Sequence, residues 1–184
     1  MITRLLVLCL SAAPEAKLDA VGDFPQLSFT DKAGAHFVRF QLSVERTRQK
    51  DDSVLRSRDL LVVHTVGKKE VWRAKDFVDA CEFDLTLELL EGSIEVTDLD
   101  DDGEPEISFL YQLACRSDVS PKVVKLLMYE GATKYALRGE SREQVGEHEF
   151  MGGDFKADPA FARAPPKFLE FARAKWKAKV VEAK

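Results

Sequence analysis

The chain has 184 residues, of which 45% are hydrophobic and 32% are charged, and its formal net charge is −5. This composition excludes an intrinsically disordered or collagen-like chain, and the mild negative charge disfavours general nucleic-acid binding. We therefore predict one β-rich domain over residues 17–184 and no nucleic acid among its partners.

The N-terminus has the features of a short secretory signal. Arg4 precedes an apolar run over residues 5–10, and small residues and Pro14 follow. We predict a signal peptide over residues 1–16 and export to the periplasm or cell surface. The alternative interpretation is a buried first strand over residues 5–10. The other apolar runs are shorter than the roughly 18 residues that a membrane-spanning helix needs, so we expect no transmembrane segment.

Removal of that signal would leave two cysteines, Cys81 and Cys115. An even number of cysteines in an exported protein predicts a disulfide between them. The alternative is a pair of buried thiols in a cytosolic protein. The chain has no C-x-x-C motif, which argues against a zinc site.

Alternation of apolar and polar residues predicts strands over most of the chain, since a half-buried strand has a side-chain period of two. The pattern is clearest over residues 38–44 and 83–89. Further strands are predicted over residues 27–30, 59–65, 70–74, 93–97, 106–113, 123–129 and 134–138. Glycine-containing turns separate many of them, whereas residues 46–58 are polar and predict a mobile loop.

The C-terminal part changes character after an irregular connector that contains Gly152 and Gly153. A helix is predicted at about residues 166–181, because proline is tolerated in a first turn and apolar residues recur at helical spacing. That apolar stripe consists of Leu169, Ala172, Trp176 and Val180. The predicted fold is thus mainly β, with antiparallel hairpins in a sandwich, an open sheet or a blade-like array, and the helix packed on the sheet.

The same helix is strongly basic, with six cationic and two anionic side chains from residue 166 onwards. We interpret these lysines and arginine as a solvated face with cations near the C-terminal end of the helix dipole. The alternative is a surface for anionic lipid or another polyanion.

Residues 98–106 carry the clearest chemical signal. Acidic side chains stand at loop positions 1, 3, 5 and 9, with Gly103 at position 6, where a sharp bend requires it. Carboxylates placed this closely repel one another unless a cation lies among them. Ca²⁺ suits the position because it takes six to eight oxygen ligands in irregular geometry.

An EF-hand is a poor fit, because Phe109 stands at position 12 and both flanks are predicted strands. The loop resembles instead the strand–loop–strand calcium loop of FG-GAP repeats in integrins. That resemblance implies a backbone carbonyl from Glu104, with Asp101 pointing outward. It implies side-chain oxygens from Asp98, Asp100, Asp102 and Glu106.

A wider resemblance extends over the second half of the chain. Its segments are GSIEVTDLD at 92–100, SFLY at 108–111, CRSDVSP at 115–121, APPKFLEFA at 164–172 and KW at 175–176. They are similar to a small family of bacterial envelope proteins loosely described as surface-polysaccharide biosynthesis proteins. The resemblance implies an envelope glycan or another envelope protein as partner and brings no catalytic residue with it.

Signals for an enzyme are weak. Asp84 and Glu88 could form a glycosidase pair, although on an alternating strand they are expected to line the solvent face. The histidines are far apart in sequence and match no catalytic or metal-binding motif: His36, His64 and His148.

The predicted function is therefore an exported, calcium-binding, non-catalytic protein of the cell envelope with a binding or accessory role in surface-polysaccharide assembly. One alternative is a carbohydrate-active envelope enzyme that uses paired carboxylates, in which Trp72 and Trp176 could stack on sugar rings. We expect both tryptophans to pack in the core or at an interface instead. A third possibility is a cytosolic interaction protein with an empty acidic turn.

Overall fold

The computed structural model describes residues 13–21 and 24–181, and it is mainly β. Most of the predicted signal peptide, residues 1–12, lies outside the described residues. Strands β1 to β14 span Lys17–Val21, Phe24–Asp31, Gly34–Leu42, Arg46–Lys50, Ser53–Val66, Lys69–Cys81, Asp84–Leu89, Glu95–Thr97, Glu106–Arg116, Val123–Glu130, Thr133–Glu140, Arg142–Gln144, Phe150–Gly152 and Phe155–Ala157. A 3₁₀-helix follows over Pro159–Arg163, and helix α1 spans Pro166–Lys179.

The strands form two antiparallel six-stranded sheets and a small β12–β13 ribbon. Sheet A has the order β1-β2-β3-β5-β4, with β6 also paired to β5. Sheet B has the order β14-β11-β10-β9-β7, with β8 also paired to β9. Most neighbours in the sheets are joined by hairpins, which agrees with the predicted antiparallel architecture.

Sheet B is buried on both faces because it lies between sheet A and helix α1. Phe109 and Leu127 on its inner face share one hydrophobic core with Val38 and Phe40 of sheet A. On its outer face, Leu110, Val124, Leu126, Met128 and Leu137 pack with the helix. This explains why strand β9 is buried at seven consecutive positions, whereas an alternating pattern needs one solvated face.

The prediction of a mobile loop over residues 46–58 is wrong. Strand β4 and the first part of β5 form a hairpin there, with Asp51 in the left-handed region at φ 52°. All five residues of β4 are exposed, so the strand carries no apolar alternation. Strand β4 is defined by its backbone hydrogen bonds to β5, which a pattern of hydrophobic residues cannot predict.

Helix α1 packs on the sheet as predicted, but its buried stripe is shifted. Phe168 is fully buried while Leu169 is only half-buried, and Ala172 and Trp176 lie in the core as expected. Lys175 is only 7% exposed, because its Nζ donates hydrogen bonds to Glu95 Oε2 and Ser108 Oγ, each at 2.8 Å. In the part of the chain that the structure describes, no helix is long and apolar enough to cross a membrane.

The disulfide prediction is confirmed. Cys81 and Cys115 are bonded, with their Cα atoms 5.6 Å apart. Cys81 ends β6 in sheet A and Cys115 lies near the end of β9 in sheet B. The bond therefore ties the two sheets together at one end of the core.

Candidate metal centre

The acidic loop connects β8 to β9 at the edge of sheet B, as a strand–loop–strand unit. Two residues in it adopt the left-handed conformation, Asp101 at φ 64° and Gly103 at φ 78°. Glycine has no steric penalty for this backbone, and aspartate tolerates it better than most residues. The resulting bend brings residues 98–102 back toward the start of β9.

Carboxylate oxygens gather there in two groups that share Asp100. One group consists of Asp98, Asp100 and Asp102, and the other of Asp100, Glu106 and Glu130. Within each group the oxygens lie within 4.8 Å of one another. Oxygens that bind one Ca²⁺ at about 2.4 Å have this spacing. Either group could therefore hold a metal ion.

The Asp100 side chain is held in a way that leaves an oxygen available to a cation. Its Oδ1 atom is buried and has no hydrogen-bond donor within the described residues. A buried acceptor without a donor costs about 1–3 kcal/mol unless another partner satisfies it. Since Asp100 belongs to both groups, it is the central candidate ligand.

Glu106 is fully buried at the start of β9. Its Oε2 accepts hydrogen bonds from Thr97 Oγ1 at 2.7 Å and from the Leu99 backbone N–H at 3.0 Å. Burial nevertheless raises the pKa of Glu106 to about 7, and the charge of Asp100 adds to this shift. A bound cation would favour the ionised form of this carboxylate.

Glu130 is a candidate ligand that the sequence reasoning missed. It ends β10 and lies directly opposite Glu106 in the strand register. Like charges at such a position destabilise a sheet unless something lies between them. The side chain is partly buried, burial raises its pKa, and Tyr135 donates a hydrogen bond to it at 3.3 Å. Pairing the predicted strands 106–113 and 123–129 as a hairpin, with Leu113 opposite Val123, would have placed Glu130 opposite Glu106.

The remaining loop residues have other contacts. Asp101 is exposed and forms an ion pair with Lys167 at 3.5 Å. Asp102 Oδ1 accepts a hydrogen bond from the Glu104 backbone N–H at 2.6 Å. The Glu104 side chain lies outside both carboxylate groups and against Gly131, where a Cβ atom would come within 2.4 Å of its Oε1. The exposed Glu104 side chain could move aside, but Gly131 has φ 50°, where other residues are strained.

Helix α1 holds the strands and loop around the site through its lysines. Besides the Lys167–Asp101 pair, Lys175 bonds Glu95 in β8, and Lys179 Nζ donates to the Glu91 backbone carbonyl at 3.0 Å. Three cations that were expected on a solvated face thus contact residues 91–101. Two of these contacts, Lys167–Asp101 and Lys175–Glu95, are ion pairs that tie the basic helix to the acidic segment.

A buried histidine pair lies near the far end of the loop, although the two residues are 28 positions apart. His36 Nδ1 and His64 Nε2 are 3.0 Å apart, and His36 Nε2 lies 2.8 Å from Asp31 Oδ1. Asp31 orients His36, whose Nε2 faces the carboxylate. Both histidines line a cavity of about 270 Å³ with Glu104 and Pro105. Both histidines stand at core-facing positions of alternating strands, and this was the sequence signal that could have revealed the pair.

His64 makes stability pH-dependent. It is 3% exposed, and burial, followed by the charge of His36, lowers its pKa to about 4. The unfolded chain binds a proton near pH 6.5 while the folded chain does not, so stability falls as pH falls from 6.5 to 4. Between pH 6.5 and pH 4, the free energy of unfolding of the wild type should fall by about 3 kcal/mol more than that of His64→Gln.

Urea unfolding at pH 7 and pH 4 measures this difference. Glu106 titrates with the opposite sign, but it is present in both proteins and cancels from the comparison. A difference between wild type and His64→Gln that does not change with pH would contradict the buried neutral state of His64.

The residues considered for catalysis and sugar stacking lie elsewhere. Asp84 and Glu88 are exposed on β7, and Glu88 Oε1 accepts a hydrogen bond from Gln112 Nε2 at 2.6 Å. Trp72 is stacked on Tyr129 with ring centroids 3.9 Å apart, and Trp176 is buried on the face of helix α1 that packs on sheet B. Both tryptophans are core residues.

Comparisons with protein-family models, with curated proteins and with solved structures found no match for this chain.

Proposed function

We propose that this protein is an exported calcium-binding protein of the cell envelope with a non-catalytic binding or accessory role. The observation that carries the proposal is the convergence of two carboxylate groups on Asp100, whose buried Oδ1 has no donor within the described residues. A cation between Glu106 and Glu130 would also relieve the like-charge pair in the β9–β10 register.

The ligand chemistry favours Ca²⁺ among common cations. The candidate donors are carboxylate oxygens, with neither nitrogen nor sulfur among the grouped residues. Hard oxygen ligands suit Ca²⁺ and Mg²⁺, but Mg²⁺ requires near-ideal octahedral geometry and keeps most of its waters. A loop with several crowded carboxylates and an irregular backbone suits the larger ion better.

Export and the envelope role have separate support. The Cys81–Cys115 disulfide fits an oxidising compartment. The resemblance of residues 92–121 and 164–176 to envelope proteins suggests a task in surface-polysaccharide assembly. The exposed positions of Asp84 and Glu88 give the glycosidase alternative no shielded pair of carboxylates. Binding of a glycan or another envelope protein is the role these observations support.

Calorimetric titration of the chelator-treated full chain with Ca²⁺ tests the proposal. We expect saturable binding, tighter than that of Mg²⁺. At a hundredfold excess over Kd, Ca²⁺ should stabilise the fold by about 2.7 kcal/mol. Asp100→Asn should abolish most of both effects, because it removes a ligand shared by the two groups.

Two variants sharpen the test. Glu130→Gln should weaken Ca²⁺ binding, which a loop acting alone does not predict. Asp101→Asn is the matched control, because Asp101 is exposed and lies outside both groups. Equal melting temperatures in Ca²⁺ and in chelator would contradict the calcium site.

Export is tested on the protein isolated from its native cells. The N-terminal residue of that protein should lie near residue 17, the end of the predicted signal. A chain that still begins at Met1 would favour the cytosolic alternative and leave the calcium result unaffected.

A further inference from the structure

A second feature of the fold, outside the acidic loop, is a cationic cleft where the edge of sheet A crosses sheet B. It has a volume of about 210 Å³ and lies between β6 and the inner faces of β9, β10 and β11. Its polar lining consists of five cations, one carboxylate and two tyrosines: Arg73, Lys75, Lys125, Lys134, Arg138, Asp76, Tyr111 and Tyr129.

The strand order explains why the cleft exists. Strand β6 pairs with β5, and it is an edge strand of sheet A in the described part of the chain. Under it, Ala136 of β11 is fully buried in the core between the sheets. Lys134 and Arg138, two residues to either side on the same strand face, are exposed and line the cleft. The uncovered margin of sheet B is therefore basic.

The cleft has more positive charge than its acidic neighbours neutralise. Arg73 pairs with Glu70, Lys125 with Asp76, and Arg138 with Asp158. Lys75 and Lys134 form no ion pair with any residue that the structure describes. Lys75 also lies close enough to Glu70 to act on its charge, so five cations stand against three carboxylates. This excess of two positive charges stands out in a chain whose net charge is −5, and concave walls concentrate their field.

A tyrosine hydroxyl without a hydrogen-bond partner lies in the same cleft. Tyr129 is only 4% exposed, and its hydroxyl makes no hydrogen bond within residues 13–21 and 24–181. The neighbouring Tyr111 differs, because its hydroxyl donates to Asp76 Oδ2 at 2.8 Å. Burial raises the pKa of Tyr129 to about 12, so it keeps its proton and can donate. A hydroxyl without a partner in the wall of a cleft is a donor that a ligand oxygen can accept from.

We infer that this cleft binds a phosphate or sulfate group. An excess of two positive charges matches a dianion, and donors that approach from both sheets suit a tetrahedral group better than a planar carboxylate. The Tyr129 hydroxyl would donate to one oxygen, with Lys75 and Lys134 on either side. The site is independent of the calcium loop, since no residue is shared between them.

The test is a titration of the full chain, treated with chelator, with inorganic phosphate, sulfate and acetate at constant ionic strength. Calorimetry should show saturable binding of phosphate and sulfate that exceeds any binding of acetate. The double variant Lys75→Ala/Lys134→Ala should bind about tenfold more weakly, and Tyr129→Phe about fivefold more weakly. The matched control is Lys50→Ala/Lys68→Ala, which removes two exposed lysines outside the cleft.

Two further probes identify the source of the group. Tighter binding of glucose 6-phosphate than of inorganic phosphate supports a soluble phosphorylated ligand. Tighter binding to phosphatidylcholine vesicles that contain phosphatidic acid supports a lipid headgroup. If phosphate and sulfate bind no better than acetate, or if the control variant weakens them equally, there is no oxyanion site. The lysines would then only keep the exposed β6 edge from pairing with another chain.

Discussion

Trp176→Ala should lower the free energy of unfolding by about 3–5 kcal/mol, the cost of removing a large buried ring. Trp176 is 2% exposed, and its ring packs against Phe155 with centroids 5.3 Å apart. The variant also removes the Nε1–H donor that bonds the Gly153 carbonyl at 2.9 Å. Urea unfolding of the full chain measures the effect. Lys177→Ala is the control, because it changes an exposed neighbour on the same helix.

Urea unfolding, together with a vesicle-binding assay, separates two roles of the basic helix. A structural helix predicts that a chain ending at Pro166 is strongly destabilised, since the outer face of sheet B then loses its cover. A membrane anchor predicts that this chain keeps its stability and loses binding to anionic vesicles. The second pair of results would overturn the structural role that we assign.

Removal of the Cys81–Cys115 disulfide is expected to cost about 2–4 kcal/mol, because the bond closes a long loop in the unfolded chain. The sequence separation is 34 residues, and the bond joins β6 of sheet A to β9 of sheet B. Cys81→Ala/Cys115→Ala should therefore shift the urea midpoint downward while the acidic loop stays intact.

A control distinguishes the cross-link from the lost side-chain volume. Wild-type protein treated with a reductant keeps both side chains and loses only the bond, so it should show most of the loss. Stability that is equal in the oxidised and reduced proteins would contradict a role for the bond in holding the sheets together.

Much of the fold follows from local patterns in the sequence. Strands such as β3 and β7 alternate apolar and polar residues because one face of each strand meets the core. The start of helix α1 follows from Pro166, and its buried face from the spacing of Ala172 and Trp176. The acidic loop is also local, because its carboxylates and Gly103 lie within nine residues.

Other features depend on which strands become neighbours, and a hydrophobic pattern cannot report that. Strand β4 is exposed at every position and exists through its pairing with β5. Lysine is usually a surface residue, yet packing of the helix against sheet B buries Lys175 beside Glu95 and Ser108.

By itself, the sequence determined which apolar residues face the core, where the chain turns and where acidic side chains lie close together within one loop. Only the tertiary structure decided the meeting of His36 with His64, the position of Glu130 opposite Glu106 and the basic margin beside β6. The physical reason is that hydrophobic periodicity reports only which face of its own strand or helix a residue lies on. Partners distant in the chain are selected by strand order and register, which depend on the packing of both sheets and the helix together.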